Sequence, residues 1–179
     1  MLISIAIPAF NEEKLLGETL TSVKTAGAAF RARGWELEGV VCDNNSTYRT
    51  CAIAEANGAR VVFEAENQIS RARNAAGHAA RGDWIIFLDA DSTPSEGLFA
   101  ATSDLMEAES TLGGGAVIRM EVMPWWARIG LGIWNLISRI FRWPAGSYIF
   151  CRAEAFRELE GFSPKLYAAE EIEFDHRLK

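Results

Sequence analysis

The chain has 179 residues, 49% of them hydrophobic and 23% charged, which suits one globular domain with a sizeable core. Its net charge of −6 argues against bulk nucleic-acid binding, which needs a basic face to neutralise phosphates. Cys42, Cys51 and Cys151 are too few and too scattered for a disulfide framework and lack zinc spacing, so a reducing compartment is expected.

The first residues, Met1-Leu2-Ile3-Ser4-Ile5-Ala6-Ile7-Pro8, lack a basic leader and a long apolar stretch. They predict a buried strand over 2–7 and a cytoplasmic protein, not a secreted one. A helical pattern over 12–33 follows, then a strand over 37–42, a helix over 48–57, a strand over 59–63, a helix over 69–80, a strand over 84–88 and a helix over 95–109. Strands alternating with helices imply crossover connections, hence an α/β domain with a mainly parallel sheet flanked by helices on both faces. Ligands of such sheets bind at the carboxyl edge. Gly113-Gly114-Gly115 reads as a break, after which the pattern is less regular. The chain stops at Arg177-Leu178-Lys179 inside a predicted helix with no glycine or proline stop, so further residues are expected beyond it.

The loops expected at the carboxyl edge carry acids and amides: Pro8-Ala9-Phe10-Asn11-Glu12-Glu13, Asp43-Asn44-Asn45-Ser46-Thr47 and Asp89-Ala90-Asp91-Ser92. Asp89 and Asp91 end the apolar run Trp84-Ile85-Ile86-Phe87-Leu88, and residues two apart on an extended backbone share a face. Two carboxylates aimed at one volume suit a hard divalent cation, since Mg²⁺ is usually held by one or two carboxylates together with substrate phosphates. Plainer readings stand beside this one. Asp-x-Asp also fits a solvated strand end, and Glu12 and Glu13 also fit a first helical turn. Asn45, Ser46 or Thr47 suits a helix cap, Arg71 and Arg73 suit a solvated face, and Asn74 suits a helix start. A dinucleotide enzyme would show Gly-x-Gly-x-x-Gly after the first strand, where this chain has Pro8-Ala9-Phe10-Asn11, and no P-loop is present.

Taken in order, Ile7-Pro8-Ala9-Phe10-Asn11-Glu12-Glu13, Asp43-Asn44-Asn45-Ser46-Thr47, Ala72-Arg73-Asn74-Ala75-Ala76-Gly77 and Leu88-Asp89-Ala90-Asp91 resemble the family 2 inverting glycosyltransferases of the GT-A fold. The resemblance resumes at Gly146-Ser147-Tyr148-Ile149-Phe150 and Gly161-Phe162 and ends at Tyr167-Ala168-Ala169-Glu170-Glu171-Ile172-Glu173-Phe174. It implies a nucleotide-sugar donor, UDP-linked ahead of GDP-linked, bound by residues 1–110. An acceptor with a free hydroxyl, on a glycan or a lipid carrier, would meet residues 111–179. By motif, Pro8, Phe10 and Glu12 would flank the nucleoside, Asp43 would bond the base with Asn45 beside it, and Arg73 would face the diphosphate. Asp89 and Ala90 would border the ribose or the metal's hydration shell, and Asp91 would ligate Mg²⁺ or Mn²⁺. The resemblance also implies a carboxylate base opening a late helix, here Glu171 or Glu170. The family's usual Glu-Asp is Glu-Glu in this chain, and the extra methylene matters at catalytic distances. Tyr48 and Asn44 stand where many relatives carry acids.

Between Val122 and Arg152 there is no Asp or Glu, while Arg128, Arg139, Arg142 and Arg152 and four of the six tryptophans, Trp125, Trp126, Trp134 and Trp143, fall there. Helical spacing sets Arg128, Asn135, Ser138, Arg139 and Arg142 on one side and Trp126, Ile133, Ile137, Ile140 and Phe141 on the other. The segment is too short and too interrupted to span a bilayer. Its apolar side suits a cover for the sheet, a homodimer contact, or an anionic membrane surface at the inner face. A catalytically weak nucleotide-sugar-binding protein docking through this helix is the rival functional reading. A nucleotidyltransferase would want a glycine-rich basic loop after the first strand.

Overall fold

The computed structural model describes residues 1–47, 49–117, 124–141, 146–167 and 169–179, with the backbone alone at Arg128, Trp134 and 137–141. Tyr48, Arg142, Trp143 and Ala168, singled out above, lie outside the described residues.

Short apolar runs buried on both faces build the centre of the sheet. The strands are β1 (Leu2–Ala9), β2 (Glu36–Asp43), β3 (Arg60–Phe63), β4 (Trp84–Leu88), β5 (Gly113–Gly115) and β6 (Tyr148–Arg152). Among the described residues they form one sheet in the order β3-β2-β1-β4-β6-β5. The first four are parallel, with Ala9 opposite Asp43 and Ala6 opposite Phe87. The last two run antiparallel, so Leu88 at the end of β4 lies beside Tyr148 at the start of β6. The chain thereby returns to the edge at which β1, β2 and β4 end.

Helices cover both faces, as the crossover rule requires. Ile3, Ile5, Ile7, Trp84, Ile86 and Leu88 pack under α1 (Leu16–Ala26), α2 (Ala28–Arg31), α3 (Thr50–Ala56) and α5 (Glu96–Glu107). Ala6, Val40, Ile85, Phe87 and Ile149 pack under α4 (Ile69–Ala79), α7 (Ala153–Glu158) and α8 (Glu170–Leu178). The remaining helix, α6 (Trp125–Phe141), joins β5 to β6.

Several expectations are corrected. The helix expected over 12–33 starts at Leu16 and is divided at Gly27. Its first residues are held back by Asn11, which takes φ +56° and accepts a hydrogen bond at Oδ1 from the Thr47 backbone. Asn45, Ser46 and Thr47 do not cap α3, whose N-cap is Arg49 without a side-chain bond. Their polar groups serve loop contacts instead: Ser46 Oγ accepts from Asn11 N, and Asn45 bonds Asn67. Asn74 lies within α4 rather than turning a helix start, and holds both backbone groups of Phe162. Gly113-Gly114-Gly115 is an edge strand rather than a break. A Cβ at Gly113 would lie 2.5 Å from Phe150 O and from Leu178 Cδ2, so only glycine lets this strand approach β6 so closely. Of the apolar side named for α6, Trp126 and Ile133 are exposed rather than covering the sheet, as are Trp125, Ile129 and Leu136, while the side chains of Ile137, Ile140 and Phe141 lie outside those described.

Candidate active site

The carboxyl ends of β1, β2 and β4 and the first turn of α8 surround one edge of the sheet. There a cleft of about 1560 Å³ opens, lined by Arg73, Asp89, Asp91, Ser147, Glu170 and Glu171, with α6 contributing Leu131, Gly132 and Asn135.

The turn after β4 is fixed before any ligand arrives. Ala90 is buried and its carbonyl accepts from the Thr19 hydroxyl of α1 at 2.7 Å. Asp89 N donates to Ser147 O at 3.3 Å, tying the turn to the start of β6. Asp89 is half-buried and Asp91 exposed on the cleft side. Burial lifts the Asp89 carboxyl above its ordinary range; Arg73 pulls it back in part, and Asp91 and Glu171 push it up. Glu12 is raised too, by burial first and then by Asp91 and Asp89. Asp89 and Glu12, both raised in part by neighbouring carboxylates, mark a region that gains from a cation.

Arg73 is almost fully buried. Its guanidinium donates to Glu170 Oε1 at 2.8 Å, to Gly146 O at 2.8 Å and to Asp89 Oδ1 at 3.2 Å, and it lies 5.5 Å from the centre of the Phe162 ring. Arg73 thus joins α4, the end of β4, the entry to β6 and the start of α8. Arg71, by contrast, pairs with Glu66 at the surface. Glu170 is buried against Arg73 and its carboxyl is raised, by burial above all, with Arg73 offsetting part of the rise and Glu171 adding to it through like charge and a side-chain hydrogen bond. Glu171 is less buried and lines the cleft; an atom added at Gly146 Cβ would lie 3.3 Å from Glu171 Oε1. The two glutamates therefore differ: Glu170 is held by Arg73, and Glu171 borders open space.

Pro8, Phe10, Glu12, Asp43 and Asn45 lie on the neighbouring loops. Asp43 is buried, accepting from Ser46 N at 3.0 Å and from the Cys51 thiol at 2.9 Å, and the latter bond with burial pushes Cys51 up to about 11. Phe10 is exposed. Sequence reasoning missed Asn44. Its amide nitrogen donates to Glu64 O and Glu66 O while its oxygen accepts from Gln68 N, lashing the β3–α4 loop to the edge. An aspartate could not donate either bond, so the departure from an acid is itself the signal.

Among the described residues no three His, Cys, Asp or Glu side chains converge as a protein-only metal cage. Asp89 and Asp91 on an open cleft fit a cation whose remaining ligands are water and phosphate oxygens, the arrangement Mg²⁺ favours.

Comparison with known proteins agrees with this geometry. An uncharacterized glycosyltransferase of Mycobacterium tuberculosis is 31% identical over 147 residues, covering 76% of this chain and 60% of that protein. The S. aureus TarS 1-349 structure in complex with UDP-GlcNAc superimposes with a TM-score of 0.72 at 21% identity, over 99% of this chain and 53% of that one. The mannosyltransferase PcManGT of Pyrobaculum calidifontis, in complex with GDP-Man and Mn²⁺, gives 0.74 at 21% identity, over 95% of this chain and 49% of that one. The chain thus spans 60% of the length of the curated relative and about half of the solved ones. Within the chain, residues 4–160 match the model for glycosyl transferase family 2, and with the sheet order and the relatives in agreement the chain belongs to that family and carries the GT-A fold.

Proposed function

We propose that the chain is a metal-dependent inverting glycosyltransferase, moving a sugar from a nucleotide-diphosphate sugar to an acceptor hydroxyl. The observation that carries the reading is the convergence of Asp89, Asp91 and Glu171 on one cleft at the carboxyl edge of a family 2 sheet. Relatives crystallised with UDP-GlcNAc, or with GDP-Man and Mn²⁺, support a nucleotide-sugar donor and a divalent ion, with UDP taken ahead of GDP.

In this reading Pro8, Phe10, Glu12, Asp43 and Asn45 border the nucleoside, and Asp91 with Asp89 would hold Mg²⁺ or Mn²⁺. When bound, the ion offsets charge on the leaving diphosphate. Glu171 accepts the proton of the acceptor hydroxyl. The new bond from that oxygen forms as the anomeric carbon–diphosphate bond breaks, its electron pair departing with the nucleotide. Arg73 and Glu170 are positioning residues: their ion pair fixes the turn of α8 from which Glu171 reaches the cleft. The acceptor approaches from the side built by residues 111–179.

The test is thermal stabilisation by nucleoside diphosphates and nucleotide sugars with and without Mn²⁺, since a ligand that binds only the folded state raises its stability. A Mn²⁺-dependent shift with one base is expected, lost in Asp91→Ala and kept in Glu171→Gln, which stops transfer. Stabilisation unaffected by chelator or by Asp91→Ala would overturn the metal assignment. Transfer persisting in Glu171→Gln would overturn the base. Donor binding without turnover on any acceptor would favour the binding-protein reading.

A further inference from the structure

The α6 helix is amphipathic the wrong way round for a soluble protein. A surface helix normally turns its apolar stripe to the core and its polar side to water. In α6 the residues lining the cleft are Leu131, Gly132 and Asn135. The residues facing out are Trp125 (74% exposed), Trp126 (65%), Ile129 (56%), Ile133 (55%) and Leu136 (59%). At 100° per residue these five fall within an arc of about 100°, one continuous stripe along three turns, with Ala127, Leu131 and Asn135 on the opposite side. Large apolar side chains gathered so closely on a surface mark a contact with something other than water.

We propose that this stripe docks on an anionic lipid surface, α6 lying in the plane of the interface. Charge selects this occupant. The protein is net negative at −6, yet the stretch from Val122 to Cys151 has no acid and carries Arg128, Arg139 and Arg142. By helical phase Arg128 and Arg139 sit on one flank of the stripe. Anionic headgroups meet such a flank with opposite charge, and each basic residue near the surface adds to the attraction. A second copy of the chain, joined antiparallel through the same face about a two-fold axis, would instead bring the basic flanks together. Tryptophan at the start of the stripe suits the headgroup region, where a ring with one polar edge is favoured. No helix among the described residues is long and apolar enough to cross a membrane, so the contact is with the surface.

The test is flotation of the full chain with phosphatidylcholine vesicles containing phosphatidylglycerol and with phosphatidylcholine vesicles alone, in the absence of nucleotide, so its outcome is independent of the transfer reaction. Binding to the anionic vesicles is expected, weakening with added salt. Replacing Trp126 and Ile133 together by Glu should lower the partition by about tenfold or more, because two apolar side chains are withdrawn from the interface and two like charges are added. Arg128→Gln with Arg139→Gln should weaken binding to anionic vesicles and leave the circular dichroism unchanged. Absence of flotation on either vesicle, or flotation unchanged in both double variants, would overturn the proposal. So would a concentration-dependent dimer that the Glu variants dissociate and that ignores vesicles.

Discussion

Arg73 carries a larger share of the site's geometry than its place in a helix motif suggests. It was expected to face the diphosphate; it lines the cleft, but its guanidinium is shared among Glu170, Asp89 and Gly146 O. Truncation to Ala would leave Glu170 buried without a counter-charge, and breaking a buried pair from one side costs roughly 3–5 kcal/mol. Urea unfolding should show a loss of that order, partly restored when Glu170 is changed to Gln as well. Glu170→Gln alone should lower kcat more than it weakens donor binding, because Arg73 loses the charged partner that seats the first turn of α8; an unchanged kcat would argue against the positioning role. The stability effect has its own sign. The Glu170 carboxyl is raised from 4.5, so the folded chain holds its proton where the unfolded chain has released it. The stability it contributes is full below about pH 4.5 and is lost as pH rises through the folded value, and the variant should flatten that slope.

At the scale of elements, apolar runs were the legible part and loop chemistry was not. The strand Trp84–Leu88 ends where five consecutive apolar residues end, because a strand buried on both faces needs no other signal. The start of α1 was misplaced because Asn11 is bound by a residue 36 positions away, which no local pattern encodes. The phase of α6 was readable, but not its direction, since periodicity gives a stripe and not the side on which the protein lies. The Asn74 clamp on Phe162 was equally hidden, although it decides how the last helix is seated: Phe162 packs on Phe174 of α8 with ring centres 4.5 Å apart. Asn74→Ala should cost about 1–3 kcal/mol in urea unfolding, since two backbone groups of Phe162 lose their partner.

Over the whole molecule, the placement of Asp89 and Asp91 at the cleft was readable because they end an apolar run, whereas the different surroundings of Glu170 and Glu171 depend on which of them Arg73 reaches. That pair joins residues 97 positions apart. In the proposed reading the donor side is built from β1, β2 and β4, which are complete within the first half of the chain, and Glu171 comes to the cleft only when α8 docks. Elements of one protein can open separately, each with its own free energy, and α8 is tied to the site through the Arg73–Glu170 pair and the packing of Phe174 on Phe162. In rising urea, transfer should therefore fail at a lower concentration than nucleotide binding, measured on the same sample; coincident loss would show that α8 and the sheet open as one unit. In the proposed reading, a chain with α8 undocked would hold a nucleotide sugar and lack the carboxylate that activates an attacking hydroxyl. The ion pair between Arg73 and Glu170 would then act as a safety catch, presenting Glu171 only while α8 is docked.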